Sequence, residues 1–260
     1  MPSVNKPPAP GSARSKAAGK VRLDRLLVDC GLAESRERAQ ALVMAGSVLV
    51  GGRVVDKPGT AVPPDASITL KKRLPYVGRG GVKLAAALDA FGLLVSERVA
   101  LDVGASTGGF TDCLLQRGAA RVYAVDVGHG QLDLRLRSDS RVVVMERVNA
   151  RYSFSLPEPV DLATVDVAFI SLTRVLPPTA AHVKLGGFVV ALVKPQFELR
   201  RQDVARGGVV QDPSLHAEAV GKVLLWAIDQ GLRVRGVTPS PILGDAGNQE
   251  FFLLLQKERE

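Results

Sequence analysis

The chain has 260 residues, 46% of them hydrophobic, enough for the core of one large domain or two smaller ones. No apolar run reaches the ~18 residues of a membrane span, and the N-terminus lacks a secretion signal, so a cytoplasmic protein is expected. The formal charge is +8: residues 1–20 carry +4, residues 21–73 carry +3, and the remaining 187 carry only +1. A basic front end on a near-neutral body points to a polyanion partner held mainly by that end.

In chain order, residues 1–20 are rich in Pro, Ala, Ser and Lys and are expected to be a disordered tail. Residues 21–73 read as a small α+β unit. Leu23, Leu26 and Leu27 mark one face of a short helix that Gly31 stops. Ser35 caps a second helix, with Ala39, Leu42 and Val43 inward and Gly46 at its end. Val48 to Val50 and Arg53 to Val55 flank Gly51-Gly52, a hairpin signal. Residues 66–70 supply another strand, and Lys71, Lys72 and Arg73 close the unit. Cys30 and Cys113 both fall in apolar helical patterns and read as core filling; no disulfide or metal site is expected.

Residues 74–78, with Pro75, read as a linker. Gly78 to Lys83 then opens a helix running through Leu84, Leu88 and Phe91. Lys83 is set in its first turn, where it opposes the helix dipole and gains nothing locally. Strands are predicted at 99–103, 121–125, 141–145, 160–166, 187–193, 233–237 and 250–255. Helices are predicted at 110–117, 131–136, 173–182 and 214–230. This alternation predicts an α/β fold over residues 79–260, a parallel sheet wrapped by helices.

The stretch LDVGASTGGF, Leu101 to Phe110, is an apolar run that breaks into glycines and then a helix. Glycines there let a ligand lie against the backbone. Asp126 ends the next strand, where an acidic residue holds ribose hydroxyls. The spacing is not GxGxxG, and no GK[ST] follows, which argues against a nucleoside triphosphate. Ligands of such sheets bind beyond the carboxyl ends of the strands, so Asp102, Asp126, Asp166 and Lys194 are expected on one rim. Lys83 and Glu250 join them. Two lysines and two acids gathered there can deprotonate a hydroxyl. His129 and His182 belong to no motif and read as surface residues.

The two halves resemble known families. RLDRLLVDCGLAESRERAQALVMAGSVLVGGRVV resembles the ribosomal-protein S-four-type RNA-binding domain. That resemblance implies RNA contacts by Arg22, Arg25, Arg36 and Arg38, with Lys71, Lys72 and Arg73 extending the basic face. Arginine suits phosphate because its planar fork donates two hydrogen bonds. YVGRGGVKL, LDVGASTGGF, VYAVDVGHGQL, DVAFISL, LVKPQFE and GNQEFF resemble FtsJ-type S-adenosylmethionine-dependent ribose methyltransferases, which have a Rossmann-like fold. Taken together, the strings are similar to the TlyA family, also known as haemolysin A: ribosomal RNA cytidine 2′-O-methyltransferases.

The resemblance implies S-adenosylmethionine as cofactor and ribosomal RNA, 16S, 23S or both, as partner. It implies a tetrad of Lys83, Asp166, Lys194 and Glu250, with Lys194 as base. It assigns the cofactor to Asp102, Gly104, Ala105, Ser106, Thr107, Gly108, Gly109, Phe110, Asp126, Asn149 and Asp166. Three alternatives remain open. A membrane-lytic haemolysin needs an amphipathic or spanning segment that the sequence does not show. A non-catalytic RNA-binding or ribosome-assembly factor would have no use for the tetrad. A base methyltransferase would carry an (N/D)PP(Y/F)-type loop, where this chain has Asp166-Val167-Ala168-Phe169.

Overall fold

The structure, a computed structural model, describes residues 19–70, 75–244 and 246–258. Most of the expected tail, together with Lys71, Lys72, Arg73 and Leu74, lies outside the described residues. The described chain falls into two compact units, one up to residue 70 and one from residue 75.

The first unit is built on β1 (Val21–Arg22), α1 (Leu23–Asp29), α2 (Arg36–Met44), β2 (Val48–Val50), β3 (Arg53–Val54), β4 (Ala61–Val62) and β5 (Ile68–Leu70). Leu23, Leu26, Leu27, Ala39 and Val43 pack with Val48 and Val62 into its core. Ser35 caps α2 as expected, its hydroxyl accepting from the Arg38 amide. The glycine hairpin joins β2 to β3, and β5 pairs with the other edge of β2. The β1–β4 pairing was not foreseen, because two-residue strands leave no alternation to read. Cys30 corrects the sequence expectation: it is exposed. It follows the last residue of α1, so it leaves the face that Leu23, Leu26 and Leu27 turn inward.

The second unit contains α3 (Arg79–Phe91), β6 (Val99–Val103), α4 (Gly109–Gln116), β7 (Arg121–Asp126), α5 (Leu134–Arg137), β8 (Val142–Glu146), β9 (Val160–Val165), α6 (Leu176–Ala181), β10 (Val183–Val193), α7 (Pro195–Glu198), α8 (Pro213–Asp229), β11 (Leu232–Pro239) and β12 (Phe251–Lys257). The strands form one sheet in the order β11-β12-β10-β9-β6-β7-β8. Residue alternation divides its two faces. Ala100, Val122, Leu162 and Val190 face α3, α4 and α5, while Leu101, Tyr123, Ala163 and Val189 face α6 and α8.

All seven predicted strands are present, but the sheet is not wholly parallel. β12 runs antiparallel to both β10 and β11. The predicted helix 173–182 is a 3-10 turn at Leu172–Arg174 followed by α6, with Pro177 and Pro178 in its first turn. Gly186-Gly187 do not start a strand: they form an irregularity inside β10, where its register on β9 shifts. Residues 75–78 are packed rather than a free linker. The Val77 amide donates to Asp112, and Tyr76 fills the space left by the missing side chain of Gly81.

Candidate active site

β6, β7, β9 and β10 are parallel, so their carboxyl ends share one rim. Reversal of β12 brings its first residue to that same rim. Its register with β10 pairs Phe251 with Val193, which brings Glu250 alongside Lys194.

After β6 the chain turns through Gly104 (φ 85°), Ser106 (φ 48°) and Gly108 (φ 97°) into α4. A side chain on Gly104 would collide with the Asp166 carbonyl, so glycine is what lets these two strand ends approach. Asp126 shapes the loop from the tip of β7. Its carboxylate accepts from the Ser106 amide at 2.8 Å and the Gly128 amide at 2.6 Å. Asp102 lies beneath the loop, fully buried, accepting from Thr111 Oγ1 at 2.7 Å and Thr164 Oγ1 at 3.0 Å. Burial pushes its carboxyl up to about 6, against those two hydroxyl donors.

Lys83, Asp166, Lys194 and Glu250 line one cavity of about 670 Å³. Lys83 Nζ donates to Glu250 Oε2 at 2.6 Å, both side chains almost wholly buried. Lys83 lies in the second turn of α3, so Glu250, not the helix dipole, accounts for its placement. Lys194 Nζ stands 2.6 Å from Asp166 Oδ1. That contact is an ion pair without hydrogen-bond alignment, since Oδ1 is buried and accepts no hydrogen bond. Two lysines and two carboxylates in one cavity can hold a hydroxyl, and a lysine present as the free amine can take up its proton.

A second cavity of about 530 Å³ is lined by Asp126, Val148, Asn149 and Ala150. Gly104, Ser106, Asp166 and Phe169 line both cavities. Of the remaining loop residues, Ala105, Thr107, Gly109 and Phe110 line the first. Asp102 and Gly108 line neither. Gly108 is the left-handed cap of α4, packed under Leu132 and Leu136.

In the first unit Arg22 and Arg36 converge on the buried Asp24, at 2.8 and 3.1 Å. Arg25 stands 4.0 Å from Asp29 on the surface, and Arg38 is exposed. His129 is a surface residue near Glu146. His182 differs from expectation: it is half-buried with its ring 4.5 Å from Phe154, and desolvation lowers its pKa.

Sequence reasoning missed Arg79, Phe169, Gln196, Phe197, Gly208 and Ala246 on the first cavity. Arg79 donates to the Leu243 carbonyl. Phe169 is 90% exposed with a left-handed backbone (φ 64°), and its ring centroid lies 5.1 Å from that of Phe197. Both aromatics stood in the motif strings DVAFISL and LVKPQFE, but an exposed left-handed phenylalanine has no periodicity to betray it. Among the described residues no group of three or more His, Cys, Asp or Glu is placed to hold a metal ion. None of their helices is long and apolar enough to cross a membrane.

Comparison with known proteins agrees with both units. Residues 76–257 match the family described as FtsJ-like methyltransferase, and residues 21–68 match the S4 domain. The 16S/23S rRNA (cytidine-2′-O)-methyltransferase TlyA of Mycobacterium tuberculosis is 45% identical over 94% of this chain and 92% of its own. Hemolysin A of Brachyspira hyodysenteriae is 40% identical over 89% of this chain and 98% of its own. Among solved structures, a candidate hemolysin from Streptococcus thermophilus matches with TM-score 0.71 and 45% identity, covering 93% of this chain and 90% of that one. The N-methyltransferase NodS of Bradyrhizobium japonicum, in complex with S-adenosyl-L-homocysteine, has TM-score 0.51 and 14% identity, covering 73% and 92%. It shares the fold.

Proposed function

This chain belongs to the FtsJ-like methyltransferase family and carries an S4 domain, and from that premise we propose that it methylates the 2′-hydroxyl of a cytidine in ribosomal RNA, 16S, 23S or both, using S-adenosylmethionine. One observation carries the reading: the Lys83–Glu250 and Lys194–Asp166 pairs face a single cavity that shares Asp166 with a second cavity. The second cavity fits the nucleoside of the cofactor. Asp126 offers a carboxylate for ribose hydroxyls, Asn149 is the candidate adenine contact, and the loop from Gly104 to Phe110 leads on to the tetrad.

Bound here, S-adenosylmethionine would supply an electrophilic methyl on its sulfonium, which the 2′-oxygen would accept with the thioether as the leaving group. Lys194, as the free amine, takes the hydroxyl proton. Asp166 beside it stabilises the ammonium that results. Lys83 orients the hydroxyl oxygen, and Glu250 fixes Lys83. Alignment of this kind can contribute roughly 7–11 kcal/mol of barrier lowering. Arg22, Arg25, Arg36 and Arg38, with Lys71, Lys72 and Arg73, engage the RNA through its phosphates. A ribosomal substrate makes the cytoplasm the site of action.

The test is single-turnover methyl transfer to ribosomal subunits at saturating cofactor. Lys194→Ala is expected to slow the step by about 10²–10⁴-fold, the usual range for loss of a general base. Cofactor affinity should stay within a few-fold. Lys194→Arg should also fail, because guanidinium does not release its proton near neutral pH. A near wild-type rate for Lys194→Ala overturns the tetrad assignment.

A further inference from the structure

We propose that Glu198 is a positioning residue that holds the rim segment carrying Asp166 against the rim segment carrying Lys194. The proposal rests on the tetrad reading above. Glu198 is the last residue of α7 and is 3% exposed. It lines neither cavity. Both oxygens of its carboxylate accept hydrogen bonds. Oε2 accepts from Ser171 Oγ at 2.5 Å, and Oε1 accepts from the Leu172 amide at 2.7 Å. Lys222 of α8 approaches Oε2 at 3.7 Å and donates to the Glu198 carbonyl.

Ser171 and Leu172 end the segment that leaves β9 through Asp166, and Glu198 ends the turn that leaves β10 through Lys194. One carboxylate therefore ties together the two segments that carry the base and its partner. On the cavity side the same segments touch again through Phe169 and Phe197. The Lys194–Asp166 contact does not fix its own geometry, because it lacks hydrogen-bond alignment. An ammonium can pivot around a carboxylate, whereas an amide and a hydroxyl donating to separate oxygens set both distance and direction. Burial raises the Glu198 carboxyl, an electrostatic cost that Ser171, Leu172 and Lys222 offset only in part and that an apolar residue at this position would not incur. Displacement of a catalytic group by an ångström can cost on the order of 10²-fold in rate.

The experiment measures single-turnover methylation of ribosomal subunits by Glu198→Ala, Glu198→Gln and Ser171→Ala. Rates are expressed per molecule competent to bind S-adenosylmethionine, counted by calorimetry, so a loss of folded protein does not lower them. Glu198→Ala is expected to slow the step by roughly 10–100-fold with cofactor affinity changed less than about threefold. Glu198→Gln should recover most of the rate, since its carbonyl still accepts from Leu172 and its amide can donate to Ser171 Oγ. Ser171→Ala removes one of the two ties and should fall between them, giving a readout even where Glu198→Ala does not fold. A full rate per competent molecule in Glu198→Ala or Ser171→Ala overturns the proposal, as does a Glu198→Gln variant no better than Glu198→Ala. Lys194→Ala in the same assay separates the two claims. If it stays active, the tetrad falls and the positioning role with it; if it is dead while Glu198→Ala runs at full rate, only the positioning role falls.

Discussion

Asp102 is a carboxyl sealed beneath the glycine loop, with hydroxyl donors from Thr111 and Thr164 as its support. Burial raises it from an ordinary 3.8 to about 6. The folded chain therefore keeps this proton across a range in which the unfolded chain has released it. Its contribution is most favourable below about pH 4 and is progressively lost as pH rises to about 6, a change of about 3 kcal/mol. Asp102→Asn should remove that dependence. Denaturant unfolding followed through Trp226, the single tryptophan, should show the variant gaining on the wild type between pH 4 and pH 7. A difference that stays constant with pH would contradict it. Reading Asp102 as a cofactor contact came from its place in LDVGASTGGF, but alternation turned its side chain to Thr111 and Thr164. The four residues of the proposed tetrad stood out in the sequence because each sits at the end of an apolar run or in a string with no local reason for a buried charge, and the structure brings them to one cavity. Glu198 was not, since its partners Ser171 and Leu172 are 27 and 26 residues away.

Asp24 does for two helices what a hydrophobic contact cannot. It sits inside α1 and accepts from Arg22, from Arg36 of α2 and from Gln40 of α2. The Arg22 guanidinium holds its carboxyl well below the usual carboxylate range, so the tie lasts through neutral and mildly acid pH and is lost only in strong acid. Asp24→Ala should destabilise the first unit by about 1–3 kcal/mol, the scale for removing a buried acceptor of charged donors. Thermal unfolding followed by far-ultraviolet circular dichroism checks this, and an unchanged first transition would contradict it. The same residue bears on the arginines read from sequence as RNA contacts. Arg22 and Arg36 meet Asp24 while remaining about half exposed, leaving their outer faces for phosphate. At the level of strands, apolar runs located every member of the large sheet, but direction left no mark in them. A strand reads alike in either sense, so the reversal of β12, which brings Glu250 to the rim, had to come from pairing.

For the molecule as a whole, the charge split and the change from a Gly-Gly hairpin unit to alternating strands and helices marked two units. The described residues form two compact units, one up to residue 70 and one from residue 75, and the expected boundary near residue 73 falls outside them. The packing of Tyr76 and Val77 was hidden because it depends on an empty place at Gly81 and an acceptor at Asp112, neither adjacent in sequence. The central claim joins the two units: a basic S4 unit that engages ribosomal RNA and a tetrad that methylates it. The most direct test maps 2′-O-methylation across ribosomal RNA in cells lacking this gene, complemented with the wild type or with Lys194→Ala. The wild type is predicted to restore methylation at one or more discrete cytidines, and Lys194→Ala to leave those positions unmodified although the protein is present. Identical maps in all three strains, or restoration by Lys194→Ala, would contradict the account.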